Sequence, residues 1–206
     1  MGESLDKSLL PANLLIVVDT HTSSQIAIQL RHCANQLARE GIGALEEIYD
    51  LVGPRLIRYA YALTRHHDDA EDAFQAAMVR LARYPDALRR AANPWAYFLR
   101  MVRNESLRLM QKRTHPSSVP VSELGTEESF PLDEDDLKRS IRLAVEKLPA
   151  NQSEVIVLKI WEEMTFSEIA EVLGESPNTV ASRYRYGLEK LTRLLKGLSS
   201  EVPRDV

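Results

Sequence analysis

Thr165-Phe-Ser-Glu-Ile-Ala-Glu-Val-Leu-Gly-Glu-Ser-Pro-Asn-Thr-Val-Ala-Ser-Arg183 is the stretch whose reading decides the fold. Thr165 and Glu168 have the T-x-x-E spacing of a capping box, so a short helix is expected to start there. Ile169, Val172 and Leu173 form its inward face, and Gly174 closes it because glycine takes a positive φ at no steric cost. Ser176 caps a second helix, and Pro177 stands at its first position, where a missing N–H is harmless. Val180, Tyr184, Leu188, Leu191 and Leu195 then recur at helical spacing. Short helix, tight turn and long helix together make a helix-turn-helix. Plain bundle packing would use the same pattern. What sets this instance apart is Thr179, Ser182, Arg183, Arg185 and Tyr186, which lie in the N-terminal half of the long helix, the half that enters a major groove in such motifs.

Upstream of this motif the same block contains two more expected helices. One runs from about 136 to 148 with Leu137, Ile141, Ala144, Val145 and Leu148 inward, and one from about 151 to 161. Before them lies a segment, residues 116–136, with seven acidic residues, no basic residue, and Pro116, Pro120, Gly125 and Pro131. Such a composition buries little apolar surface and is expected to be a flexible linker of about 25 Å mean span. It divides the chain into two domains.

The first domain, residues 44–115, is also read as helical. Leu45, Ile48, Leu51, Val52, Leu56, Tyr59 and Leu63 mark a helix that Gly53-Pro54 is expected to kink or divide. Asp68 and Glu71 suggest a capping box for the next helix, which carries Phe74, Ala77, Met78 and Leu81 on one face and ends at Pro85. A loop is expected from Pro85 to Asn93. Asn93 and Pro94 then open a helix to about Lys112. Residues 1–43 fit neither domain, although Ile26, Leu30, Cys33 and Leu37 would make an amphipathic helix.

The helix after Asn93 separates two faces. Trp95, Phe98, Leu99, Val102, Ser106 and Leu109 lie on one, and Tyr97, Arg100, Asn104, Arg108 and Gln111 on the other, with Arg103 to the side. The second face suits nucleic acid: arginine holds phosphate, asparagine pairs with a base edge, and tyrosine stacks on an unstacked base. An ordinary solvated surface would have the same composition. The acids Asp68, Asp69, Glu71 and Asp72 beside His66 and His67 admit a metal site, but capping and the helix dipole account for them better. No metal and no cofactor is expected.

Composition narrows the function classes. The net charge of −4 conceals two mildly basic blocks, +3 over residues 44–115 and +2 over 137–196, on either side of a linker of −7. One cysteine, Cys33, excludes an internal disulfide. No apolar run approaches the ~20 residues of a membrane span, and no signal-peptide pattern opens the chain, so a cytoplasmic location is expected. There is no G-x-S-x-G, no G-x-x-x-x-G-K-[ST] and no H-E-x-x-H, so no enzymatic activity is expected.

Two stretches together resemble the extracytoplasmic-function sigma factors of bacterial RNA polymerase. Asp69-Ala-Glu-Asp-Ala-Phe-Gln75 followed by Asn93-Pro-Trp-Ala-Tyr-Phe-Leu-Arg-Met-Val-Arg-Asn104 resembles region two of that family. Leu148-Pro-Ala-Asn-Gln-Ser-Glu-Val-Ile-Val-Leu158, Thr165-Phe-Ser-Glu-Ile-Ala170 and Ser176-Pro-Asn-Thr-Val-Ala-Ser-Arg183 resemble region four. The resemblance implies an all-α fold of two small helical domains and a promoter-recognition subunit. It further implies that Asp69, Glu71, Asp72 and Gln75 dock on the β′ coiled coil of core polymerase, and that region four meets the β flap. Tyr97, Arg100, Arg103, Asn104 and Arg108 would read and melt the −10 element, and Thr179, Ser182, Arg183, Arg185 and Tyr186 would read the −35 element. An anti-sigma factor is a further implied partner. The chain departs from the family at Tyr97, where tryptophan is frequent, and at Ala181, where a basic residue is common. Its 85–93 segment also lacks glycine and aromatic residues. A helix-turn-helix regulator acting without polymerase is the main competing function, and a sigma mimic that binds only protein is another. The acidic docking helix and the basic Tyr97–Arg108 face both argue against the regulator.

Overall fold

The computed structural model describes residues 23–114 and 136–200. The expected linker and residues 1–22 lie outside that range, apart from Asp136, which opens a helix. Among the described residues every element is helical: α1 (Ser23–Glu40), α2 (Ala44–Thr64), α3 (His67–Arg83), α4 (Pro85–Arg90), α5 (Pro94–Thr114), α6 (Asp136–Glu146), α7 (Ala150–Ile160), α8 (Phe166–Leu173) and α9 (Pro177–Ser200), with a 3₁₀ turn at Gly41–Gly43. They form two compact units, one built on α1–α5 and the other on α6, α7, α9 and most of α8.

In the first unit α2, α3 and α5 pack on one another, and α1 lies against α2, α4 and α5. Its core contains Ile48, Leu56, Tyr59, Phe74, Leu81, Trp95, Phe98, Leu99 and Val102, all fully or almost fully buried. Fully burying one large apolar side chain stabilises a fold by about 1.5–3 kcal/mol. Ile26, Leu30, Cys33, Ala34 and Leu37 of α1 belong to this same core. The amphipathic helix expected there is therefore an integral wall of the unit, although it precedes residue 44. Burial, with the nearby Glu47 carboxylate adding to it, pushes the Cys33 thiol up from its ordinary range.

Three local expectations change. Gly53-Pro54 does not divide α2, which runs unbroken past Pro54. Gly53 packs against α3, where a Cβ would lie in ordinary van der Waals contact, 3.5 Å from the Phe74 ring. No Asp68–Glu71 capping box forms. The helix begins two residues earlier, at His67, with no side-chain cap; Asp68 and Asp69 instead lie in its first turn, where they complement the dipole. The expected loop at 85–93 holds the six-residue helix α4, with Pro85 at its start and Leu88 buried beneath it.

In the second unit α9 packs along α7 and α6. The capping box is present as read: the Glu168 N–H donates to Thr165 Oγ1 at 3.2 Å, and the Thr165 N–H donates to Glu168 Oε2 at 2.8 Å. Gly174 closes α8 at φ 70°. Ser176 Oγ accepts from the Thr179 N–H at 3.1 Å and caps α9. Gly187 lets α9 approach α7, since a Cβ there would sit 3.2 Å from Ile156 and 3.3 Å from Gln152 Cβ.

Candidate polymerase and nucleic-acid interfaces

On α3 the four docking candidates separate. Asp69 turns inward: its side chain is only 10% exposed, and its Oδ1 lies 3.0 Å from Arg113 Nη2 on α5. Glu71 is half-buried and sits 3.5 Å from the His67 ring. Asp72 and Gln75 are exposed, with the exposed Val79 one turn further on. Spacings of three and four residues put all three on one outward stripe. Arg113 thus pairs with a carboxylate that the family resemblance assigned to docking, while Asp72 and Gln75 stay exposed. Among the described residues no three His, Cys, Asp or Glu side chains gather into a metal site.

The entry to α5 is fixed by Asn93, whose Oδ1 accepts from the Trp95 and Ala96 N–H groups, both at 3.1 Å. This cap sets the helix phase. Trp95, Phe98, Leu99, Val102 and Ser106 are buried. Arg100, Asn104, Arg108 and Gln111 are exposed, while Tyr97 and Arg103 are partly covered. Arg108 Nε donates to Glu105 Oε2 at 2.8 Å, which aligns its guanidinium along the helix surface. Tyr97 borders an open groove of about 830 Å³ shared with Val79, Tyr84, Met101 and Arg108. Tyr84 and Val79 are large apolar side chains left exposed there. Neither was among the expected site residues.

On α9 Thr179, Ser182, Arg185 and Tyr186 are exposed and share one face, opposite the buried Val180, Gly187 and Leu191. Arg183 differs: it is half-buried, and its Nη1 donates to Glu175 Oε1 at 2.8 Å, tying α9 to the turn before it. Arg185 lies with its guanidinium 5.0 Å from the Tyr186 ring centre and donates to the Tyr186 hydroxyl at 3.3 Å. Tyr184 packs on Phe166 at 5.6 Å, and burial pushes its phenol up in pKa, so it serves the core.

A bundle with a basic, aromatic-bearing outward helix and a separate helix-turn-helix unit defines a helical DNA-binding protein of two units. Residues 48–115 match the family Sigma-70 region 2, and residues 138–191 match Sigma-70, region 4. An RNA polymerase sigma-E factor of Streptomyces avermitilis is 30% identical over 142 residues, covering 68% of this chain and 79% of the relative. The ECF RNA polymerase sigma factor SigW of Bacillus subtilis is 27% identical over 171 residues, covering 75% and 90%. Among solved structures, the sigma factor RpoE of Bartonella quintana, in complex with the anti-sigma factor NepR, superposes with a TM-score of 0.58 at 25% identity, covering 73% of this chain and 96% of that one. The chain belongs to the sigma-70 family, as an extracytoplasmic-function RNA polymerase sigma factor. It directs promoter-specific initiation by binding core polymerase and recognising promoter DNA. No helix among the described residues is long and apolar enough to cross a membrane.

Proposed function

We propose that this sigma factor divides its work between the two units at the residue level described above. The stripe of Asp72 and Gln75, flanked by Glu71, docks on the β′ coiled coil, while Asp69 braces α3 against α5 from behind. Tyr97, Arg100, Arg103, Asn104 and Arg108 on α5 engage the −10 element, and the unstacked non-template base is captured beside Tyr97. Base capture offsets the few kcal/mol of unstacking. Thr179, Ser182, Arg185 and Tyr186 on α9 read the −35 duplex, with Arg183 setting the angle of the helix. Domain limits of 44–115 for region two and 137–196 for region four, with an acidic linker at 116–136, follow from the same reading. The region-four unit also meets the β flap. Polymerase supplies the chemistry and the metals; the sigma factor supplies recognition and strand capture, in the cytoplasm where both partners are. An anti-sigma factor is a natural regulator of this chain, since RpoE of Bartonella quintana has been captured with one.

A single observation carries this reading: the outward Arg100, Asn104 and Arg108 stand on the same bundle that presents Asp72 and Gln75. A DNA-binding regulator working alone requires only one of these surfaces. Run-off transcription with core polymerase on genomic DNA tests it. Promoter-specific transcripts that depend on the added chain are the expected result, and DNA binding with no specific initiation would overturn it.

A further inference from the structure

Arg31 on α1 reaches the turn between α4 and α5. Its Nη1 donates to the Arg89 carbonyl at 3.2 Å, and its Nη2 donates to the carbonyls of Ala91 at 3.0 Å and Ala92 at 2.9 Å. The Arg89 carbonyl lies in the last turn of α4, where carbonyls have no partner within the helix, and a cation there also complements the helix dipole. Ala91 and Ala92 have no side-chain group able to hold the turn in one shape. The guanidinium holds it from outside, its planar fork spanning the three carbonyls in a fixed geometry that a single ammonium does not match. Arg31 is itself held in place, because Leu30 and Ala34 beside it are fully buried in the core. One residue beyond the turn, Asn93 caps α5. The chain is therefore clamped on both sides of the point where it enters the helix that presents Tyr97, Arg100 and Asn104.

We infer that Arg31 is a positioning residue for −10 recognition: it fixes the α4–α5 turn from the N-terminal helix and so shapes promoter choice without touching DNA. This rests on the assignment of α5 to the −10 element. The turn leads directly into the α5 residues of that assignment, and its shape is set by contacts 58–61 residues away in the chain.

The test uses the full chain with core polymerase and a promoter library randomised at both elements, comparing Arg31→Met, Arg31→Lys and Asn104→Ala. Arg31→Met keeps the apolar stem and removes the fork. It is expected to retain core binding and −35 preference while discrimination at one or two −10 positions falls about tenfold, the scale of one base contact. Arg31→Lys keeps the charge, reaches fewer carbonyls, and should fall between; it also serves as the deciding variant should Arg31→Met fail to fold. An unchanged −10 preference in either folded variant, while Asn104→Ala shifts it, overturns the inference alone. If Asn104→Ala also leaves −10 preference unchanged, the assignment of α5 falls and takes the inference with it. A loss uniform across all promoters, with the salt slope of DNA binding reduced by about one, would mark Arg31 as a phosphate contact and equally overturn the positioning role.

Discussion

Asp69 and Asp72 lie three residues apart on α3, yet their environments differ. Asp69 is covered and faces Arg113, whose own side chain is 54% exposed, so the pair is only partly shielded from water. Asp69→Asn should lower the stability of the first unit by about 1–2 kcal/mol, between the ranges for exposed and buried pairs, as measured by denaturant unfolding. Asp72→Arg should leave stability within about 0.5 kcal/mol, because an exposed helix position tolerates charge, and should weaken core binding in a competition assay. Core affinity equal to the unsubstituted chain would remove Asp72 from the docking surface. On α9 the two arginines diverge in the same way. Arg183 and Arg185 are about 200° apart, and only Arg185 is exposed. Arg185→Ala is expected to cost about 1–3 kcal/mol in −35 binding and to relax preference at one or two base pairs, read by promoter-library selection. Arg183→Ala breaks the 2.8 Å contact to Glu175 and should weaken all sequences alike. Unchanged preference in the Arg185 variant would transfer the reading role to Ser182 and Tyr186.

Among the elements, α9 has the narrowest tolerance, because the face proposed to read DNA lies opposite the face that touches α7 at Gly187. A leucine at 187 would drive its side chain into Ile156 and the Gln152 backbone, contacts already at 3.2–3.5 Å for a Cβ alone. Gly187→Leu should destabilise the second unit by about 1–3 kcal/mol and tilt α9, with −35 affinity falling at unchanged core docking through α3. Thermal unfolding followed by circular dichroism, with the two units resolved, checks the first part. A second unit as stable as before would mean that α7 and α9 can separate freely. Capping was legible from residues alone at α5, α8 and α9, because an asparagine, threonine or serine at the cap bonds within three residues of itself. At α3 the same kind of pattern misled. Asp68 and Glu71 have the spacing of a box, but α2 ends in a left-handed residue, Arg65 at φ 60°, and α3 starts two residues before the box would place it.

For the whole molecule, the segment before residue 44 changes status. Ile26, Leu30 and Leu37 are at most 4% exposed, and each contributes about 1.5–3 kcal/mol on burial. Their sum rivals the entire ~5–15 kcal/mol by which a domain is stable. A chain lacking residues 1–43 should therefore lose cooperative unfolding of the first unit and with it −10 function, as measured by calorimetry and transcription. Full activity in that shortened chain would show that α2, α3 and α5 suffice. Net charge of −4 also understates DNA binding at this scale, since α5 exposes Arg100, Arg108 and Arg113 and α9 exposes Arg185 and Arg193. Affinity should accordingly fall steeply with added salt.

The helices other than α4, the helix-turn-helix and the outward faces of α5 and α9 were determined by the sequence itself. Their signals are local: a period of 3.6, a cap within three residues, a glycine where φ turns positive. Tertiary structure alone decided four other matters. It made α1 a wall of the first unit, carried α2 through Pro54, turned Asp69 onto Arg113, and aimed Arg31 at three carbonyls. Each of these depends on which surfaces meet in space, between residues as far as 61 positions apart, and no local period or spacing encodes a meeting at that distance.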